Sequence, residues 1–155
     1  MSFIAARLKS GHVPPNRELP VAAGEAFEQG ALLLVNASGE YEECAADPAA
    51  IAAVSESAFG ADTSGFNRLG VREFPPGMMQ GTKVQGQQFH AEYVGTLPAA
   101  IGGSYGVVRD TDGRWKVDFD ETVETRVKLV GFWTDAPINK NRVFVEFLAA
   151  NVQVI

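Results

Sequence analysis

Cysteine is nearly absent from this chain. Cys44 is the only one in 155 residues, which excludes an intrachain disulfide and any zinc site built from the thiolates of one chain. Histidine is almost as scarce, with His12 and His90 alone. Neither has neighbours at a ligand-like spacing such as HExxH, so both read as ordinary histidines. Long apolar runs are missing, and none approaches the roughly 18 residues that a membrane span needs. The opening MSFIAARLKSG has some basic character but no continuous apolar h-region, which argues against a secretory signal and makes folding in the cytoplasm the expectation. Positive charge is also in short supply: Lys and Arg number 13 against 19 Asp and Glu, for a formal net charge of -6. The basic residues are scattered, and phosphate binding by counterion release needs them clustered. The expectation is a partner that is neither nucleic acid nor membrane.

Signatures of catalysis are missing as well. There is no GxSxG elbow, and Ser64-Gly65 and Ser104 lack a nearby base in a recognisable arrangement. The segment Gly102-Gly103-Ser104-Tyr105-Gly106 looks superficially like a phosphate loop, but no Lys-Ser/Thr ending and no helix follow it. It reads as the start of a strand with a bulge. Asp110, Asp112, Asp118, Asp120 and Glu121 are the one acidic group dense enough to consider for a hard cation. Their spacing is not that of an EF-hand, and a carboxylate pair for glycoside hydrolysis would need a cleft as well. They read as a solvated acidic face, with Asp118 and Asp120 opposite Trp115, Val117 and Phe119. Cys44 reads as a small hydrophobe at a strand end. No catalytic residue, metal site or cofactor is expected.

What the chain does have is alternation and turn chemistry. With 46% hydrophobic and 21% charged residues it has the composition of a folded domain, and its length suits one domain with a real core. In residues 21–54, Gly24 and Gly30 bracket a short extended step, an apolar strand runs from Ala31 to Val35, Ser38-Gly39 turn, and Tyr41 to Cys44 return. Asp47-Pro48 then leads into apolar Ile51 to Val54, either as a helix start or as a turn before a short strand. Residues 55–72 read as a long loop anchored by Phe59, Phe66 and Leu69. Pro75-Pro76-Gly77 marks a turn, with Met78-Met79 filling core gaps or serving as an adaptable contact surface. Phe89, Ala91 and Tyr93 alternate in a strand over 88–94. Tyr105 to Val108, the Asp112-Gly113 turn, and alternating Trp115, Val117 and Phe119 predict a hairpin. Residues 122–133 predict a strand pair or one bent strand, and Val143, Val145 and Phe147 mark a last long strand over 142–148. The fold class is mainly β: a single antiparallel β-barrel or sandwich over 21–155 with little helix.

Residues 1–20 differ in texture. Phe3, Ile4, Arg7 and Leu8 precede Pro14, Pro15 and Pro20, which favour an extended path. Large apolar residues ahead of a proline-rich strap predict an N-terminal arm that docks on a neighbouring chain. The alternative is an arm folded back onto its own barrel, or simply frayed.

The layout of residues 21–147 resembles the head decoration, or cement, proteins of tailed bacteriophages. The Gly-x-x-Phe-x-x-Gly step of that family matches Gly24-Glu25-Ala26-Phe27-Glu28-Gln29-Gly30 ahead of an apolar strand, and its Asp-Pro step matches Asp47-Pro48. A glycine common in the following strand of the family is replaced here by Ala52-Ala53. The resemblance implies a non-enzymatic protein of the virion that binds the outer surface of an expanded capsid and stabilises contacts between major capsid protein subunits. It also implies self-association as a dimer or trimer. The expected capsid or oligomer contacts are Phe3, Ile4, Arg7, Leu8, Pro14 and Pro15 of the arm. To these is added an exposed C-terminal strand over 151–155, whose Val152, Val154 and Ile155 would leave an apolar end uncovered in a monomer. A different reading is a small-ligand or carbohydrate-binding β-barrel with a pocket lined by Tyr93, Tyr105, Trp115 and Trp133.

Overall fold

The computed structural model describes residues 3–5, 17–60, 77–132 and 142–153. Among them the strands in chain order are β1 (Ile4–Ala5), β2 (Arg17–Pro20), β3 (Leu32–Val35), β4 (Tyr41–Glu43), β5 (Ala53–Ser55) and β6 (Met78–Lys83). They continue with β7 (Gln88–Val94), β8 (Ser104–Arg109), β9 (Trp115–Asp118), β10 (Val127–Phe132) and β11 (Arg142–Phe147). The mainly β expectation holds, and the described residues include one short 3-10 helix, Ala149–Asn151.

Strands β7, β11, β10, β8 and β9 are neighbours in that order, and β9 returns to β7, so five strands close into a barrel. Five strands cannot alternate in direction around a closed ring, so one neighbouring pair must run parallel. That pair is β7 and β9, through Tyr93↔Val117 and Val94↔Asp118. The other ladders are antiparallel. The expected antiparallel barrel is thus present, with this one parallel pairing required by the odd strand count. The second sheet has the order β2-β6-β5-β3-β4. An isolated parallel bridge, Val21↔Tyr41, links the residue after β2 to β4, with the Ala22 N–H donating to the Tyr41 carbonyl at 2.9 Å.

Side-chain alternation sets which faces point inward. Phe89 and Ala91 of β7, Trp115 and Val117 of β9, and Val143, Val145 and Phe147 of β11 are buried, with less buried neighbours between them. The central strand β5 is buried along its whole length, as its sequence Ala-Val-Ser permits. At Gly81 a Cβ would stand 2.5 Å from Leu19 Cδ1 and 3.2 Å from the Val54 carbonyl oxygen, so β2, β6 and β5 pack this closely only around glycine. Buried side chains of both sheets form one continuous cluster, in which Trp115, Phe3, Phe89, Leu32, Leu33 and Ile51 are among the largest fully buried.

Several expectations are refined. Asp47-Pro48 opens a turn, with Asp47 in the left-handed region at φ 49, and a short strand follows. Residues 127–132 are one strand whose register with β11 shifts between Leu129 and Gly131, the bent-strand alternative. The Asp112-Gly113 turn joins β8 to β9 as the alternation predicts. Asp120 lies in a turn beyond β9, so it does not continue the strand face of Asp118. Phe59 bridges Phe27, and their rings stack at 5.6 Å, whereas Phe66 and Leu69 of the expected loop lie outside the described residues.

Candidate interaction surface

The two chain ends were the expected contact segments. The described parts of the first twenty residues follow the folded-back alternative. Phe3 is fully buried, its ring 5.5 Å from Phe147, which in turn meets Phe89 edge-on at 5.4 Å. Ile4 pairs with His90 in register, extending the edge of β7, and Arg17–Pro20 is the outer strand β2 laid against β6. An aromatic ring beside three prolines is thus drawn into the barrel's own core, where burial of its full apolar surface outweighs any gain from a free arm. Arg7, Leu8, Pro14 and Pro15 lie outside the described residues, and the chain on either side of them is anchored in a sheet.

The C-terminal segment is also tied down. Where the expected strand over 151–155 falls on described residues, 151–153, the chain instead leaves the 3-10 helix Ala149–Asn151 and Val152 bridges Ile51 in parallel. The Ile51 N–H donates to the Asn151 carbonyl and the Gln153 N–H to the Ile51 carbonyl, both at 2.8 Å. The Gln153 side-chain amide then behaves like one more strand residue: its Nε2 donates to the Val35 carbonyl at 3.0 Å while its Oε1 accepts the Val35 N–H at 2.9 Å. Val152 is therefore half-buried against the second sheet; Val154 and Ile155 lie outside the described residues.

Polar side chains brace the junction between the sheets. Arg126 is buried, donates through Nε to the Pro48 carbonyl and through its other nitrogens to the Thr125 and Asp47 carbonyls, and pairs with Glu124 at 2.9 Å. A single oxygen of Glu43, on β4, accepts the Trp115 indole N–H at 2.9 Å and forms an ion pair with Arg109, whose Nε lies 2.9 Å away. These charge-assisted bonds join the loop after β4 and the edge of the second sheet to the barrel.

The groups considered for chemistry are engaged in similar internal contacts. Asp110 and Asp112 both grip Lys116 Nζ, at 2.8 and 3.0 Å. The Lys116 bond holds the Asp110 carboxyl below the usual carboxylate range, and the Arg114 backbone N–H does the same for Asp112. Among the described residues no group of three or more His, Cys, Asp or Glu is placed to hold a metal ion. His90 Nδ1 accepts from Arg142 Nε at 2.8 Å, and burial followed by the Arg142 charge pushes the imidazole down to about 4. Burial, with Glu43 and Glu42 nearby, pushes the Cys44 thiol up to about 12, so it is an inert core group. Trp115 is core, and Tyr93 and Tyr105 both lie against the Phe119 ring, at 5.1 and 4.9 Å. Those three aromatics are used for packing, and Trp133 lies outside the described residues.

The sequence reading missed the large apolar side chains exposed among the described residues: Leu97, Ile101 and Val123, with relative exposures of 42%, 57% and 83%. The signal that marks the first two is an uncharged run, Gly-Thr-Leu-Pro-Ala-Ala-Ile-Gly-Gly, set between two alternating strands. Comparison with protein-family models, curated proteins and solved structures finds no match to this chain.

Proposed function

We propose that this chain is a structural protein of a tailed-phage virion. It binds the outside of the expanded capsid and strengthens contacts between major capsid protein subunits. The observation that carries the reading is the module at residues 21–54. Gly24 and Gly30 turn with positive φ around Phe27, the strand β3 and the return β4 follow, and the Asp47-Pro48 turn leads into buried β5. This is the order of steps on which the resemblance to head decoration proteins rests. The bracing of both sheets into one core supports it further, because a decoration protein acts as a clamp and must transmit load without deforming. The mechanism is additive: each copy adds a modest interface, and a shell repeats that interface many times. Stable contacts of this kind bury about 1,200–2,000 Å² in total.

Arg7, Leu8, Pro14 and Pro15 remain the proposed capsid contacts of the N-terminal segment, whereas Phe3 is assigned to the core. Deleting the first twenty residues is consequently a poor test, since it also removes β2 and the buried Phe3 and Leu19. The test is co-sedimentation of the intact protein with expanded, undecorated shells from the same source, with unexpanded shells as control. Saturable binding to the expanded shell is expected, weakened about tenfold or more by Leu8→Ser with Arg7→Ala, which corresponds to about 1.4 kcal/mol or more. Absence of binding to either shell overturns the proposal.

A further inference from the structure

The turn between β8 and β9 contains Asp112-Gly113, the only Asp-Gly pair in the chain, and Asn-Gly does not occur. An aspartate followed by glycine is a weak point of any polypeptide backbone, because the glycine nitrogen has no β-carbon beside it to hinder attack on the neighbouring side chain. In that reaction the Gly113 nitrogen bonds to the Asp112 carboxyl carbon, and the nitrogen's hydrogen and the hydroxyl of the protonated carboxyl leave as water. Water then opens the resulting cyclic imide. Opening at one carbonyl restores aspartate, and opening at the other leaves the backbone running through Cβ as isoaspartate, longer by one carbon atom. Asp112 is exposed, so solvent reaches it freely.

Both reacting groups are held by bonds that the imide cannot keep. The Gly113 N–H donates to the Asp110 carbonyl at 2.9 Å, and an imide nitrogen carries no hydrogen. Asp112 Oδ1 accepts the Arg114 N–H at 2.9 Å and its Oδ2 takes Lys116 Nζ at 3.0 Å, whereas an imide carbonyl has no charge to offer a cation. Lys116 is gripped from the other side by Asp110 at 2.8 Å, and Asp110 is itself fixed by the Thr111 N–H at 2.8 Å. The Arg114 N–H and then Lys116 hold the Asp112 carboxyl below the usual carboxylate range, away from the protonated form that can lose water. Much depends on this turn, because it sets Arg109 opposite Trp115, whose indole is bound to Glu43. One further backbone atom would disturb the register that delivers Trp115 to the core.

We propose that Asp112 is the position at which the backbone of this chain rearranges to isoaspartate, and that the clamp of Lys116 between Asp110 and Asp112 is the latch that slows it. The latch opens only when Lys116 leaves Asp112 and the Gly113 N–H leaves Asp110, so the rate follows local opening of the turn. The inference does not depend on the capsid reading.

The test is to age the intact chain at neutral pH and physiological temperature as folded wild type, as Lys116→Met and Lys116→Arg, and as wild type unfolded in guanidinium chloride. Circular dichroism confirms which samples are folded. Trypsin releases the same peptide, Asp-Thr-Asp-Gly-Arg over 110–114, from all of them, and electron-transfer fragmentation distinguishes isoaspartate from aspartate within it. Isoaspartate at 112 is expected to form about tenfold or more faster in the unfolded chain than in the folded wild type. Folded Lys116→Met is expected to exceed wild type about threefold or more, as suits the loss of exposed ion pairs. Lys116→Arg, which keeps a cation between the two carboxylates, stays near wild type. If Lys116→Met does not fold, Asp110→Ala takes its place: it releases Lys116 from one side, keeps the carbonyl that holds Gly113, and shifts the rate in the same direction. Folded wild type that rearranges as fast as the unfolded chain overturns the inference, as does a folded Lys116→Met or Asp110→Ala no faster than wild type. Isoaspartate concentrated at a residue other than Asp112 in the unfolded chain overturns it as well.

Discussion

At the scale of single residues, the groups that carry chemistry elsewhere here serve as fastenings. His90 shows this most clearly. Its Nδ1 accepts a bond from Arg142, which requires that nitrogen to be unprotonated, and the native imidazole is pushed down to about 4 from 6.5. Between those values the unfolded chain takes up a proton that the native one refuses. The contribution is therefore fully present above about pH 6.5 and is lost as pH falls towards 4, on the order of 1–2 kcal/mol because solvent screens the partly exposed ring. The urea midpoint is expected to fall between pH 7 and pH 5 in the wild type and to fall less in His90→Asn, which keeps an acceptor that does not titrate. Comparing the two cancels any contribution from His12. Parallel falls in both proteins would contradict this role for His90. The sequence placed His90 on the strand face opposite Phe89 and Ala91, but not its bond to Arg142, because the pairing of β7 with β11 spans some fifty residues.

At the scale of elements, β1 and the C-terminal segment decide whether the chain ends are arms or parts of the body. Phe3→Ala is expected to cost about 3–5 kcal/mol, as a fully buried aromatic should. A docking arm would lose less than about 0.5 kcal/mol. Chemical denaturation of that variant distinguishes the two. Most strands were legible because their signal is local: the alternation Phe89-Ala91-Tyr93 and Trp115-Val117-Phe119, and the turns at Ser38-Gly39 and Asp112-Gly113. The chain ends were not, because prolines at 14, 15 and 20 say how the backbone travels and nothing of where Phe3 lands. The C-terminal strand was misread for a related reason. Val152 and Gln153 are held by Ile51 and Val35, about a hundred residues away, and no local pattern announces that pairing. The exposure of Leu97 and Ile101 was overlooked because lack of charge inside a loop resembles ordinary turn composition.

At the scale of the whole molecule, a six-stranded sheet, five strands of which close into a barrel, and a five-stranded sheet share one core. Glu43 and Arg126 hold the sheets in a fixed relation, so a contact made on one is resisted by the other. That rigidity is what a clamp across capsid subunits requires. The most direct measurement is calorimetry of expanded, undecorated shells from the same source, heated with and without saturating protein. The shell's disruption temperature is expected to rise with occupancy and to level off when the sites are full. A disruption temperature unchanged at saturating protein would contradict the capsid proposal.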